Sequence, residues 1–163
     1  RGGRRGALRF IKQLQDGHNR GLELTKTERL VRLEEGLASL RRVARPGSLV
    51  FVLSDFYDLN SSCDQHLSYL RQHQDILAFQ ILDRSERQLL PGSVYPVSDG
   101  RKKSFLDLTR NTERQRLQKR LDQIVEGARQ ELGRFAIPMI DVATTADPRD
   151  TLLRWFSANS GQA

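Results

Sequence analysis

Two apolar runs constrain the fold more than anything else in the sequence. Ser48-Leu-Val-Phe-Val-Leu53 and Asp75-Ile-Leu-Ala-Phe-Gln-Ile-Leu82 have strand length and are rich in residues that favour strands. Between them, Asn60-Ser61-Ser62 can cap a helix over roughly 62–73 that buries Leu67 and Leu70. Parallel strands need a crossover of this kind, so residues 48–82 read as a βαβ unit. A run as continuously apolar as 48–53 is expected to be buried on both faces of its sheet.

The flanking segments extend the alternation. Leu8, Ile11 and Leu14 lie at helical spacing, and Asp16-Gly17 is a stop signal. Thr25 and Glu28 form a capping box ahead of a stripe of Leu30, Leu33, Leu37, Leu40 and Ala44, which Pro46-Gly47 ends. After the second strand, Val94–Val97 and Ser104–Leu108 read as a hairpin around an Asp99-Gly100 turn. Asn111 can cap a long helix to about Leu132, with its apolar stripe at Leu117, Leu121, Ile124, Val125, Ala128 and Leu132 and Gly133 at its C′ position. A third strand spans Ala136–Val142, where Pro138 implies an edge or a strand end. Asp147-Pro148 opens a last helix burying Leu152, Leu153 and Phe156, with Trp155-Phe156 as core.

Three parallel strands are half of an ordinary open α/β sheet. The chain starts Arg1-Gly-Gly-Arg-Arg-Gly, without methionine or a signal-peptide apolar core, and is expected to be cut from a longer protein. On that expectation the strand at 48–53 has lost a neighbour. Its unpaired apolar edge should then drive self-association as a two-fold dimer.

Charge and composition narrow the function classes. The net charge is +7, but residues 1–45 hold 12 Lys and Arg against 5 Asp and Glu, while residues 46–163 hold 15 of each. The body is neutral, so nucleic-acid or anionic-lipid binding would rest on the leading segment alone. The single cysteine, Cys63, allows no internal disulfide, and His18, His66 and His73 lack zinc spacing. Phosphate-cradling glycine loops and a GxSxG elbow are absent from the sequence. Cys63 reads as packing, His73 as a surface or turn group, and Arg110, Arg114, Arg116, Lys119 and Arg120 as a solvated helix face.

Ligands of open parallel sheets sit beyond the carboxyl ends of the strands. Asp55, Asp83 and Asp141 mark those ends. Asp55, with Asp58, Asn60, Ser61 and Ser62 just beyond it, offers oxygen ligands of the kind Mg²⁺ or Ca²⁺ prefers. The plainer alternative, favoured by spacing alone, is that these residues make the turn and cap the next helix.

Several landmarks occur in order: Leu49–Phe56 (LVFVLSDF), Arg71–Ala78 (RQHQDILA), Leu82–Glu86 before Leu90-Pro91-Gly92, Val97–Gly100, and Asp147-Pro148 before Leu152–Phe156. Together they resemble the C-terminal half of a von Willebrand factor A-like bacterial domain-of-unknown-function family associated with MoxR-type AAA ATPases. Arg84 departs from the family, which tends to proline there. The resemblance covers nearly all of the chain from about residue 25. It implies a three-layer, Rossmann-like α/β fold of partial von Willebrand A type, with a parallel sheet and an inserted β-hairpin. The expected organisation is a basic segment at 1–24, the half-domain at 25–158 and a tail at 159–163.

The resemblance also implies a divalent metal ion-dependent adhesion site, holding Mg²⁺ or Mn²⁺, built from three loops. Asp55 falls on the third-loop position, and Thr25 or Thr27 approach the second. The DxSxS loop is missing, so the site is incomplete in this chain. The implied function is a non-enzymatic protein-interaction or chaperone-adaptor module that partners a MoxR-type ATPase and a client protein. The expected location is cytoplasmic, with anchoring through upstream segments left open. Two alternatives from other classes are a nucleic-acid-binding domain using residues 1–45 and a metal-dependent hydrolase using Asp55 and Asp83.

Overall fold

The computed structural model describes residues 3–23, 31–89, 92, 94–98 and 103–159. It divides the chain into two compact units, Arg1–Leu30 with Val97–Ser104, and Val31–Pro96 with Phe105–Ala163. Within the first, helix α1 runs Gly3–Glu23. It continues through Asp16-Gly17, because one glycine costs a helix only about 1 kcal/mol and two further turns outweigh that. Its apolar stripe is exposed, with Leu8, Phe10, Ile11 and Leu14 all at least half accessible.

The larger unit begins with α2 (Leu33–Val43) and β1 (Leu49–Ser54). A short 3₁₀ turn at Ser61–Cys63 leads into α3 (Asp64–His73), followed by β2 (Asp75–Leu82). Then come α4 (Arg84–Arg87), β3 (Val94–Ser98), β4 (Lys103–Asp107), α5 (Asn111–Arg134), β5 (Met139–Ala143) and α6 (Pro148–Asn159). The main sheet has the order β1-β2-β5 and is parallel throughout. Strands β3 and β4 pair in a separate two-stranded sheet; the expected Asp99-Gly100 turn lies outside the described residues, as does the Thr25/Glu28 capping box.

The sheet's two faces differ in cover. Val50, Ile76 and Ala78 point into a core with Leu37 of α2, Leu67 and Leu70 of α3, and Ala128 and Leu132 of α5. The opposite face holds Leu77, Phe79 and Ile140 against Leu152 and Trp155 of α6. On β1 that second face is open: Leu49 is 58%, Phe51 49% and Leu53 65% exposed. The expectation of a strand buried on both faces therefore holds for β2 and not for β1. In α6, Leu152 and Trp155 pack as expected, but Leu153 and Phe156 lie on the outward side and are about half exposed.

Element boundaries follow the backbone's need for partners. The Pro46-Gly47 turn puts Gly47 at φ +76, and its N–H donates to the His73 carbonyl at 2.7 Å. Helix α5 ends at Arg134, two residues later than expected. Ala136 takes φ +52, its N–H reaches the Gly133 carbonyl, and the Ile137 N–H reaches Leu132. This is the Schellman arrangement, with alanine where glycine is usual, and Gly133 stays inside the helix. Asn111 is likewise the first residue of α5 rather than its cap; Arg110 occupies the cap position and makes no side-chain capping bond. Pro138 precedes β5, the outer strand beside β2, and lends its carbonyl to the Ala78 N–H.

Candidate functional site

The loop leaving β1 is built by short-range bonds that its sequence encodes. The Ser54 hydroxyl accepts the Phe56 N–H at 3.0 Å, and the Asp55 Oδ1 accepts the Tyr57 N–H at 3.1 Å. Side-chain oxygens two residues back thus stand in for backbone partners, the usual reason for Ser and Asp at turns. Phe56 between them sits at φ +59, a left-handed conformation that strains a bulky residue by about 1–2 kcal/mol. Its ring is 2% exposed, in the cluster of Leu37, Val52, Leu59 and Leu67. Burial of an aromatic side chain exceeds that strain, so the core holds the loop's conformation.

Further bonds tie the loop down. Asn60 caps the 3₁₀ turn by accepting the Ser62 N–H, as expected from the sequence. The Asp58 Oδ2 accepts the Leu33 N–H at 2.8 Å, supplying the N-terminal cap that α2 lacks from its own Arg32. The Ser62 hydroxyl donates to Glu34 of α2. Beneath the loop, the Gln80 Nε2 donates to the Asp55 carbonyl at 3.3 Å from a fully buried position on β2. The Gln80 Oε1 has no partner among the described residues.

The three strand-end acids fare differently. Asp141 is clamped between Arg129 of α5 at 2.7 Å and Arg87 of α4 at 2.9 Å. The Asp83 Oδ2 accepts the Thr144 hydroxyl at 2.9 Å, while the Asp83 N–H donates to Glu86, so this acid joins β2 to the start of α4 and to the chain after β5. Asp55 is exposed. Thr25 and Thr27 lie outside the described residues, and among those described no group of three His, Cys, Asp or Glu side chains converges as metal donors.

Next to the loop is a cleft of about 270 Å³ whose lining includes Tyr57, Glu86, Arg87, Arg129 and Asp141 over Leu82. The Tyr57 phenol is pushed up to about 12 by partial burial first, then by the neighbouring Glu86 carboxylate, with which it hydrogen-bonds, and by Asp55. It stays protonated at neutral pH and acts as a donor. Sequence reasoning missed Tyr57, Gln80, Glu86, Arg87 and Arg129. Only Gln80 left a local signal, as the one polar residue between Ile76 and Leu82.

The other groups singled out in the sequence are structural. Cys63 is fully buried, and burial pushes its thiol up, so the unreactive protonated form dominates. His73 ends α3 with its ring against Tyr69. Arg110, Arg116, Lys119 and Arg120 are solvent-exposed.

The fold and its strand-end loops define a Rossmann-like α/β domain with a parallel three-stranded sheet. No helix among the described residues is long and apolar enough to cross a membrane. The family model described as "Protein of unknown function DUF58" matches residues 1–130, and the chain belongs to this family. No curated protein and no solved structure matches it.

Proposed function

We propose that this DUF58 chain is a protein-interaction or chaperone-adaptor module of von Willebrand A-like type. In this reading it works with a MoxR-type AAA ATPase, and the Asp55 loop is its contact point. One observation carries the reading. Two of the three strand-end acids, Asp83 and Asp141, are engaged in joining elements of the fold, whereas Asp55 is held out to solvent on a loop fixed at every turn. A rigid loop presenting a carboxylate suits recognition, because little ordering entropy is lost on contact. The order of sequence landmarks supports the von Willebrand A-like and MoxR-associated parts of the proposal.

A resident Mg²⁺ or Mn²⁺ does not fit the described residues, among which no three His, Cys, Asp or Glu side chains converge as donors. Such ions need several oxygen ligands at once. The interaction reading stands without the ion, and calorimetric titration separates the two ideas. Saturable Mg²⁺ binding lost in Asp55→Asn would establish an adhesion-type site, and its absence would leave Asp55 a plain recognition carboxylate.

The direct test measures binding of the purified MoxR-type ATPase to the chain. Asp55→Ala should weaken it about tenfold or more, which is about 1.4 kcal/mol. Asp107→Ala, at the end of exposed β4, should leave it unchanged. Equal binding by both variants, or none by the parent chain, sinks the proposal.

A second reading has one observation in its favour: Arg4, Arg5, Arg9 and Lys12 are all exposed on α1. Nucleic-acid binding through them would fall steeply with salt, as counterion release requires. The neutral body argues against it. Hydrolysis by an Asp55–Asp83 pair gains nothing from the geometry, since Asp83 is bonded to Thr144 and Glu86.

A further inference from the structure

We propose that the cleft beside the Asp55 loop is an anchor pocket for one arginine side chain of a partner protein. Its walls come from Tyr57, from α4 and α5, and from the carboxyl ends of β2 and β5. No β1 residue is part of the described lining. Apolar and acidic residues are layered along it. Leu121 and Val125, four apart on α5, share one helix face and line the cleft together with buried Leu82. Asp122 and Glu126, each one residue further on, form a parallel acidic row. That layering suits a side chain with an apolar stem and a charged head. The volume of about 270 Å³ lies just under the ~300–1,000 Å³ of pockets for drug-sized ligands, so it suits a single side chain.

Charge decides the sign of the head. The carboxylates of Glu86, Asp122, Glu126 and Asp141 share the cleft with the guanidiniums of Arg87 and Arg129. Both guanidiniums converge on one acid, Asp141, at 2.9 and 2.7 Å, and Arg129 reaches Glu126 only at 3.9 Å. Glu86 is met by neutral donors, the Tyr57 phenol and the Asp83 N–H, and Asp122 by the Gln118 amide. The cleft therefore keeps an excess of negative charge inside a chain whose net charge is +7. After burial, the carboxylates of Glu86 and Asp55 are what hold the Tyr57 proton in place. The same field repels phosphates and other anions.

A separate feature calls for a hydrogen-bond donor. Gln80 lies two residues before Leu82, on the same side of β2, and is in register with Asp141. Its Oε1 is a buried acceptor without a partner among the described residues. Arginine meets these needs better than lysine. Glu86 stands on α4, and Asp122 and Glu126 stand on α5, so the head must serve carboxylates on two elements. A guanidinium presents five N–H donors in one plane, whereas an ammonium is a compact point charge.

Nuclear magnetic resonance titration of the whole chain with acetyl-arginine amide tests this. Saturable shifts should appear at Tyr57, Leu82 and Val125, with a Kd on the order of 1 mM for so small a ligand. Acetyl-citrulline amide, the uncharged isostere, should cause no saturable shift there, and acetyl-lysine amide should bind more weakly than the arginine probe. Asp122→Asn combined with Glu126→Gln should weaken arginine binding about tenfold, as the loss of two partly screened charge pairs allows. Glu113→Gln, exposed at the start of α5, should leave it unchanged. Asp122 and Glu126 are both exposed, circular dichroism confirms that the variants fold, and the citrulline comparison needs no variant. Absence of saturable shifts with the arginine probe overturns the proposal. So does equal binding of the citrulline or lysine probe, unchanged binding by the double variant, or shifts confined to residues away from the cleft. Failure here leaves the Asp55 contact standing, because Asp55 is not part of the described lining and the probe is not the ATPase.

Discussion

Phe56 and Tyr57 show how much one residue pair decides. A phenylalanine at φ +59 turns the chain so that its own ring enters the core while the next ring meets Glu86 at the cleft. Tyr57 offers a clean measurement. Its phenol titrates near 12 in the folded chain against about 10 unfolded, so its contribution to stability is whole below pH 10 and is lost as pH rises through 12. Ultraviolet titration should show one of the three tyrosines ionising about two pH units late, missing from Tyr57→Phe and moved toward 10 by Glu86→Gln. An unshifted tyrosine in the parent chain would remove the Tyr57–Glu86 bond from the description of the cleft. None of this was legible locally, because Tyr57 and Glu86 meet only once β2 has returned beside β1. Asp55, by contrast, could be placed from the sequence, since an acid straight after an apolar run lands at a strand's carboxyl end.

At the scale of elements, patterning identified the strands and the longer helices, and errors fell where tertiary cover or weak local signals decide. The apolar run at 49–53 correctly implied a strand. It could not say what covers each face, and α6 packs beside β5 and β2 while one side of β1 stays open. Asp16-Gly17 and Gly133 resemble stops, yet both lie inside helices, because a glycine penalty near 1 kcal/mol is smaller than the bonds and packing that continuation gains. The four-residue α4 lacks a periodic signature and was not foreseen. The true end of α5 makes its own prediction. Ala136 carries a left-handed strain that glycine would not, partly offset by glycine's greater freedom when unfolded. Ala136→Gly should therefore stabilise the chain by about 0.5–1 kcal/mol in urea unfolding. A loss of stability would mean that the alanine methyl contributes more by packing than the strain costs.

For the whole molecule, the two crossovers of the main sheet are unequal. Residues 55–74 join β1 to β2, whereas residues 83–138 separate β2 from β5. The second path is roughly three times longer, which adds on the order of 1 kcal/mol of closure entropy. Leu67 and Leu70 should accordingly consolidate with β1 and β2 early, and Ile140 late. Conservative truncations should show this as high φ-values for Leu67→Ala and Leu70→Ala and values near zero for Ile140→Val; the reverse order would refute it. During synthesis β5 also leaves the ribosome after β1 and β2. The side of β2 that awaits it must stay clear of other chains until the long connection has been made, so a neighbour that reached that strand first would trap the chain one strand short of its sheet.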